Sequence, residues 1–271
     1  MKEDSQLKLD RNGYVLEFED NFSSTDLDLT KWLPYYLPQW KSRESSQARY
    51  QLDTQQLSLM IEEDQQPWAP EHNGEIRVSN LQTGVFAGPV GSQIGQHRFK
   101  EGLVVQQEQE ATALYTPTFG LIELRSKAIK DPHCLVALWL IGFESNPEDS
   151  AEICVMEIFG KDVDGDRALV GVGIKKHHDP RVEEDFSKIE VQVDVCDWHI
   201  YSVEWTPESI SFYLDGICLK TVKQAIDYPM QLMLNIYELT RTDGVGSYPK
   251  EFAVDWVRGY KKQSLATSRS S

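Results

Sequence analysis

The sequence lacks any apolar stretch long enough to cross a bilayer. Its longest apolar run, Cys134 to Phe143, is about half of the ~20 residues that a membrane helix requires. That run reads as a buried strand, and no membrane partner is expected. The opening residues, Met1-Lys-Glu-Asp-Ser-Gln-Leu-Lys8, have no apolar core of the secretory kind, so a cytoplasmic location is expected, or secretion if the N-terminus has been trimmed. Cysteine is scarce: the four residues at 134, 154, 196 and 218 are too dispersed for a Cys-x-x-Cys element, which excludes a zinc ribbon and a dense disulfide framework and leaves four reduced thiols as the expectation. Basic residues are the minority, 27 against 43 acidic, giving a formal charge of −16. Such a chain repels a phosphate backbone, and no basic stripe with interleaved aromatics offsets this, so nucleic acid is excluded and a neutral ligand fits better. Gly-x-Ser-x-Gly and His-Glu-x-x-His are both absent.

Period-two alternation is present throughout. It is clearest in Ile189-Glu-Val-Gln-Val-Asp-Val195, and similar segments are Leu57 to Ile61, Leu121 to Ile129, Ile200 to Trp205 and Phe252 to Tyr260. Ile210 to Leu214 and Ile217 to Lys220 flank Asp215-Gly216, a dipeptide that accepts the positive φ angles of a two-residue hairpin. No long stretch keeps an apolar stripe at helical spacing, so helices are expected to be few and short. The reading is an all-β chain: a curved two-sheet antiparallel β-sandwich with a concave cleft. Residues 1–260 form one domain, 261–271 form a polar tail that frays, and a monomer is expected.

One segment carries chemistry. Ala151-Glu-Ile-Cys-Val-Met-Glu-Ile-Phe-Gly160 is too apolar and β-prone for a surface loop, yet it holds Glu152 and Glu157. Strict alternation would put these glutamates on opposite faces, because they are an odd number of positions apart. A β-bulge at Val155 or Met156 returns Glu157 to the side of Glu152. The carboxyl groups can then stand at roughly the 5–5.5 Å at which one attacks an anomeric carbon while the other protonates the leaving oxygen. The alternative is that one glutamate is a solvated or ion-paired strand residue.

The segment resembles the signature of glycoside hydrolase family 16, Glu-Ile-Asp-Ile-Met-Glu-Tyr-x-Gly, here Glu152-Ile-Cys-Val-Met-Glu157-Ile-Phe-Gly160. Further blocks follow in family order: Phe18-Glu-Asp-Asn-Phe22, Leu29-Thr-Lys-Trp32, Phe119-Gly-x-x-Glu123-x-Arg125, Trp198-His199-Ile-Tyr201, Phe212-Tyr-Leu-Asp-Gly216, Leu234-Asn235 and Val254-Asp-Trp-Val-Arg258. The resemblance implies a jelly roll and a retaining endo-glycoside hydrolase, with Glu152 as nucleophile and Glu157 as acid/base. The extra residue between the carboxylates is similar to the branches acting on β-1,3-glucans, agars and carrageenans, so a β-1,3- or mixed-linkage glucan is the expected substrate. Cys154 departs from the pattern, standing where the family carries an aspartate. A carbohydrate-binding or transglycosylating protein with weakened hydrolysis is therefore the alternative. Between two carboxylates the Cys154 thiol is expected to stay neutral, and the missing charge to move the activity optimum to lower pH.

Aromatic rings bind the apolar face of a pyranose. Trp139 matches a family tryptophan near the cleavage point and is open between subsite and core. Tyr35, Tyr36, Trp40 and Trp68 are open between outer subsites and structure, while Trp205 and Trp256 read as core. The resemblance points to His199 as a ligand or carboxylate contact, to His177 or His178 as a contact to a sugar hydroxyl, and to Asn235 as a contact to sugar or nucleophile. No cofactor and no catalytic metal is expected. Some family members carry a structural calcium near positions that match Asp20-Asn21 and Asp255. Asp162-Val-Asp164-Gly-Asp166 has Arg167 and Gly173 where a calcium loop needs glycine and glutamate, so it reads as a hairpin tip. The glycine-rich Gly84 to Gly95 segment reads as turns beside the cleft.

Overall fold

The computed structural model describes residues 7–53, 55–240 and 247–263. Two antiparallel sheets pack face to face. The first runs in the order Ile217–Val222, Ile210–Leu214, His199–Trp205, Gly120–Lys127, Lys250–Lys262, Leu57–Ile61 and Arg49–Leu52, with Tyr14–Asp20 also on Lys250–Lys262. The second runs Val163–Asp164, Arg167–Lys175, Glu152–Phe159, Cys134–Gly142, Met230–Glu238 and Arg77–Gln82, with Asp185–Val191 on Arg167–Lys175. Helix among the described residues is limited to Pro70–Asn73 and two short 3-10 turns. The all-β reading is borne out.

Alternation explains the main core. Val136, Leu138 and Leu140 of one strand and Leu232, Leu234 and Ile236 of its neighbour point between the sheets, where they meet Leu124, Val203 and Phe212 of the facing sheet. A second apolar cluster lies on the other face of the second sheet. There Ala137, Trp139, Ile141 and Met233 pack beneath Tyr36, Leu37, Trp40 and Trp68, which arrive on connecting segments. That face carries the candidate site.

Asp215 (φ 50°) and Gly216 (φ 77°) make the expected hairpin turn. Asp164 to Arg167 is a hairpin tip, with Gly165 at φ 62°. All four cysteines are free thiols. Three expectations are corrected. The Ile189 to Val195 segment is strand only to Val191, in Asp185–Val191, because Asp194 accepts the Cys196 amide and turns the chain. The polar tail begins later than Lys261: Val15 pairs with Lys261 and Tyr14 with Lys262, so ladder hydrogen bonds hold these residues, and 264–271 lie outside the described residues. Trp256 is only half-buried and stacks under Arg258 at 4.1 Å, so it sits outside the core, whereas Trp205 is inside it.

Candidate active site

The catalytic strand bulges where the glutamate spacing requires it. Leu138 pairs with Met156 and Trp139 with Cys154, leaving Val155 as the extra residue. On the other side Gly171 pairs with Glu157 and Gly173 with Cys154, two positions against three. Ile153, Val155, Met156 and Ile158 all face the core, so Glu152, Cys154 and Glu157 share the opposite face. Glycine at 171 and 173 permits this pairing. A Cβ at Gly171 would approach Phe186 to 2.7 Å, and Gly173 adopts φ 137° with Asp185 O at 2.2 Å from any Cβ.

The strand Arg167–Lys175 sends its next residue on that face, Lys175, onto the carboxylates. Its Nζ donates to Glu152 Oε1 at 3.1 Å and to Glu157 Oε1 at 2.5 Å. These two oxygens therefore lie at most about 5.6 Å apart, the two contacts laid end to end. Cys154 Sγ donates to Glu152 Oε1 at 2.7 Å and reaches Glu157 Oε1 at 3.6 Å. His177 Nε2 lies 2.7 Å from the other Glu152 oxygen, Oε2.

Burial alone would raise the Glu152 carboxyl. The hydrogen bond from His177 and the charge of Lys175 outweigh it and pull the carboxyl down to about 2, so Glu152 is an anion at ordinary pH. Burial and the charges of Glu152 and Glu157 push the Cys154 thiol well above its usual range, as expected, and keep it neutral. Burial works against the Lys175 charge, but the surrounding acidic groups hold the ammonium protonated.

A cavity of about 340 Å³ opens over these groups, walled by Tyr36, His97, Phe99, Trp139, His177 and Tyr237. Trp139, Tyr36 and His177 are thus brought together with the two glutamates. Other candidates are not. Trp40 is fully buried, with Nε1 donating to Gln96 O at 2.9 Å and its ring against Gly95; it supports the loop that carries His97 and does not reach the cavity. His199 lies on the facing sheet, bonded to Asp215 Oδ2 at 2.7 Å and Asp194 O at 3.0 Å, so it clamps a hairpin and touches no carboxylate of the pair. Asn235 is fully buried beneath the cavity and donates to Asn80 Oδ1 and the Tyr237 hydroxyl, each at 3.0 Å; it contacts neither Glu152 nor Glu157 and acts through Tyr237. His178 is turned away, to Arg98 O at 3.1 Å. Trp68 packs edge-on behind Tyr36 at 4.8 Å, and Tyr35 lies under Arg43.

Lys175, His97, Phe99 and Tyr237 were not anticipated. Lys175 and Tyr237 were legible in principle, from Val-Gly-Val-Gly-Ile-Lys and Met-Leu-Asn-Ile-Tyr alternation. His97 carried no signal, because it sits in a loop at φ 50°. Desolvation pushes its half-buried ring down to about 3, so it is neutral. Beside it Glu144, also at positive φ (55°), accepts the His97 amide at 2.6 Å, and burial pushes its carboxyl up to about 8. At the positions matching a family calcium, Asp20 accepts from the Phe22 amide and Trp32 Nε1, each at 2.9 Å, and Asp255 pairs with Arg125.

Comparison with known proteins places this geometry. The chain is 23% identical to glucan endo-1,3-beta-glucosidase A1 of Niallia circulans over 93% of its length, but spans only 38% of that protein. It superposes on the GlcNAcα1-4Gal releasing endo-β-galactosidase from Clostridium perfringens with a TM-score of 0.80 and 30% identity, covering 93% of this chain and 64% of that one. The chain thus spans less than two thirds of either relative. SCLam, a non-specific endo-β-1,3(4)-glucanase, matches in fold with a TM-score of 0.65 at 17% identity, over 96% of this chain and 98% of that one. The family profile described as "Glycosyl hydrolases family 16" matches residues 107–258, more than half of the chain and the part that contains Glu152, Cys154, Glu157 and Lys175. By that match, the bulged carboxylate strand and the two-sheet fold, the chain belongs to glycosyl hydrolases family 16.

Proposed function

We propose that the protein is an endo-acting, configuration-retaining glycoside hydrolase for a β-linked glycan. The observation that carries this reading is the placement of Glu152 and Glu157 on one face, their nearer oxygens at most about 5.6 Å apart and joined by one ammonium. Glu152, ionised and oriented by His177, attacks the anomeric carbon to form a glycosyl-enzyme. Glu157 protonates the departing oxygen and then takes a proton from the water that releases the sugar. Lys175 must leave Glu157 for the first of these steps, so substrate entry and Lys175 displacement belong to one event. Trp139 and Tyr36 provide rings against which a pyranose packs.

The glucanase relatives support a β-1,3- or mixed-linkage glucan, and the endo-β-galactosidase supports a β-galactoside backbone. A second reading, a carbohydrate-binding protein with weakened hydrolysis, is favoured by the neutral Cys154 and the Lys175 ion pair. Reducing-end release from laminarin, lichenan and a galactoside-containing mucin glycan, run beside Glu152→Gln, separates them. Hydrolysis is expected on at least one polymer, lost by more than 10³-fold in the variant, with products initially in the β configuration by proton NMR. Binding without turnover on every polymer would support the second reading, and inverted products would refute the double displacement.

A further inference from the structure

We propose that His97, His177 and Glu152 form a binding site for a divalent transition-metal ion of the zinc type, which caps the nucleophile and arrests the enzyme. One nitrogen from each histidine and one Glu152 oxygen lie within 4.8 Å of one another. The imidazole rings face each other edge to plane, centroids 4.8 Å apart at 85°. Two imidazoles and a carboxylate are a set that zinc accepts, with a fourth position left for water. Bonds of ~2.0–2.2 Å in a tetrahedron put donors roughly 3.4 Å apart, so modest side-chain rotations close the present spacing.

Glu152 divides its oxygens in a way that suits this. Oε1 is occupied by Lys175 and Cys154, whereas Oε2 faces His177 at 2.7 Å. The inner trio Glu152, Cys154 and Glu157 is also close-set, but the Lys175 ammonium already sits on its two inner oxygens and excludes a second cation. The His97 ring makes no hydrogen bond among the described residues, so no bond need break to free it. Both histidines are held in the left-handed region, His97 at φ 50° and His177 at φ 45°, a conformation that persists only where the surroundings impose it. For His97 they do: its amide is bonded to Glu144, and the preceding carbonyl of Gln96 accepts from both Gln39 and Trp40. His97 is thus presented before any ion arrives.

Binding needs no activity to be measured. Isothermal titration of chelator-treated protein with Zn²⁺ is expected to show one site, and Co²⁺ in its place to give the visible absorption of a four-coordinate ion. His97→Gln and His177→Gln should each weaken Zn²⁺ at least tenfold, while Cys154→Ala and a substitution outside the cavity, His133→Gln, whose ring meets Thr240 Oγ1 at 3.0 Å, should leave it within twofold. Absence of a Zn²⁺ site, or a site untouched by both cavity substitutions, or one abolished by Cys154→Ala, would overturn the proposal; circular dichroism on each variant establishes that it is folded. The inhibitory consequence rests on the hydrolase reading. Hydrolysis should fall in proportion to Zn²⁺ occupancy and return on chelation, and a fully occupied enzyme that still turns over would refute the capping while leaving the hydrolase assignment intact.

Discussion

Replacing Lys175 by methionine removes one charge from the site with little change in length. In the native protein its Nζ stands 3.1 Å from Glu152 Oε1, and it is one of the groups that hold that carboxyl down at about 2. Coulomb's law at that distance gives about 1.3 kcal/mol in a water-like dielectric and ~5 kcal/mol at an effective dielectric of ~20. At ~1.4 kcal/mol per unit these limits correspond to about one and about four units. Lys175 is 28% exposed at its side chain, so solvent screens it and the expected rise is about one to two units, to roughly 3–4. Removing a cation makes the anion harder to form, so the shift must be upward. The assay is covalent labelling of Glu152 by an activated 2-fluoro glycoside with a leaving group that needs no acid, because its rate then follows the fraction of ionised nucleophile. The half-point should rise in Lys175→Met and stay near the native value in Lys175→Arg. An unchanged or lowered half-point in the methionine variant would show that Lys175 does not stabilise the nucleophile's charge.

His199→Ala should leave kcat/KM within about twofold while costing about 1–2 kcal/mol of stability, since it removes two hydrogen bonds at a hairpin on the facing sheet; a tenfold loss of kcat/KM at unchanged fold would return His199 to the site. For Glu144 the folded carboxyl is raised to about 8 from an ordinary 4.5, so its contribution to stability is fully present below about pH 4.5 and is lost as pH rises through 8. Glu144→Gln lacks this loss and should gain on the native protein between pH 5 and pH 9, by ~5 kcal/mol at most, and a difference in denaturant midpoints that does not vary with pH would refute the burial argument.

The fold was legible because alternation at period two survives burial of one face, and because Asp215-Gly216 marks its own turn. Alternation does not say which sheet a strand joins. His199 opens a strand whose neighbours are Gly120–Lys127 and Ile210–Leu214, and only that pairing turns it away from Glu152. Nor does a tryptophan in a loop announce what its indole will meet. Trp40 and Tyr36 lie four residues apart, yet the first is sealed under Gly95 and the second borders the cavity. Lys261 and Lys262 looked like tail because their side chains are polar, but a strand needs only backbone pairing, which Tyr14 and Val15 supply.

The site shows the same limit in a sharper form. Cys154 reads in sequence as the loss of a negative charge between two glutamates, leaving one neutral group between them. Lys175 alters the balance. Its ammonium offsets the charge of Glu152, and every hydrogen bond at the two inner oxygens runs from a donor, Nζ or Sγ, to a carboxyl oxygen. An ionised aspartate at 154 could donate to neither glutamate, whereas the thiol donates to Glu152 and leaves room for the ammonium. Lys175 meets Glu157 only because Gly171 and Gly173 bring their strand against the bulge, eighteen positions along the chain. The compensation is therefore a property of register: alternation puts Lys175 on a strand face, but only the pairing of the two strands sets it beside residue 154.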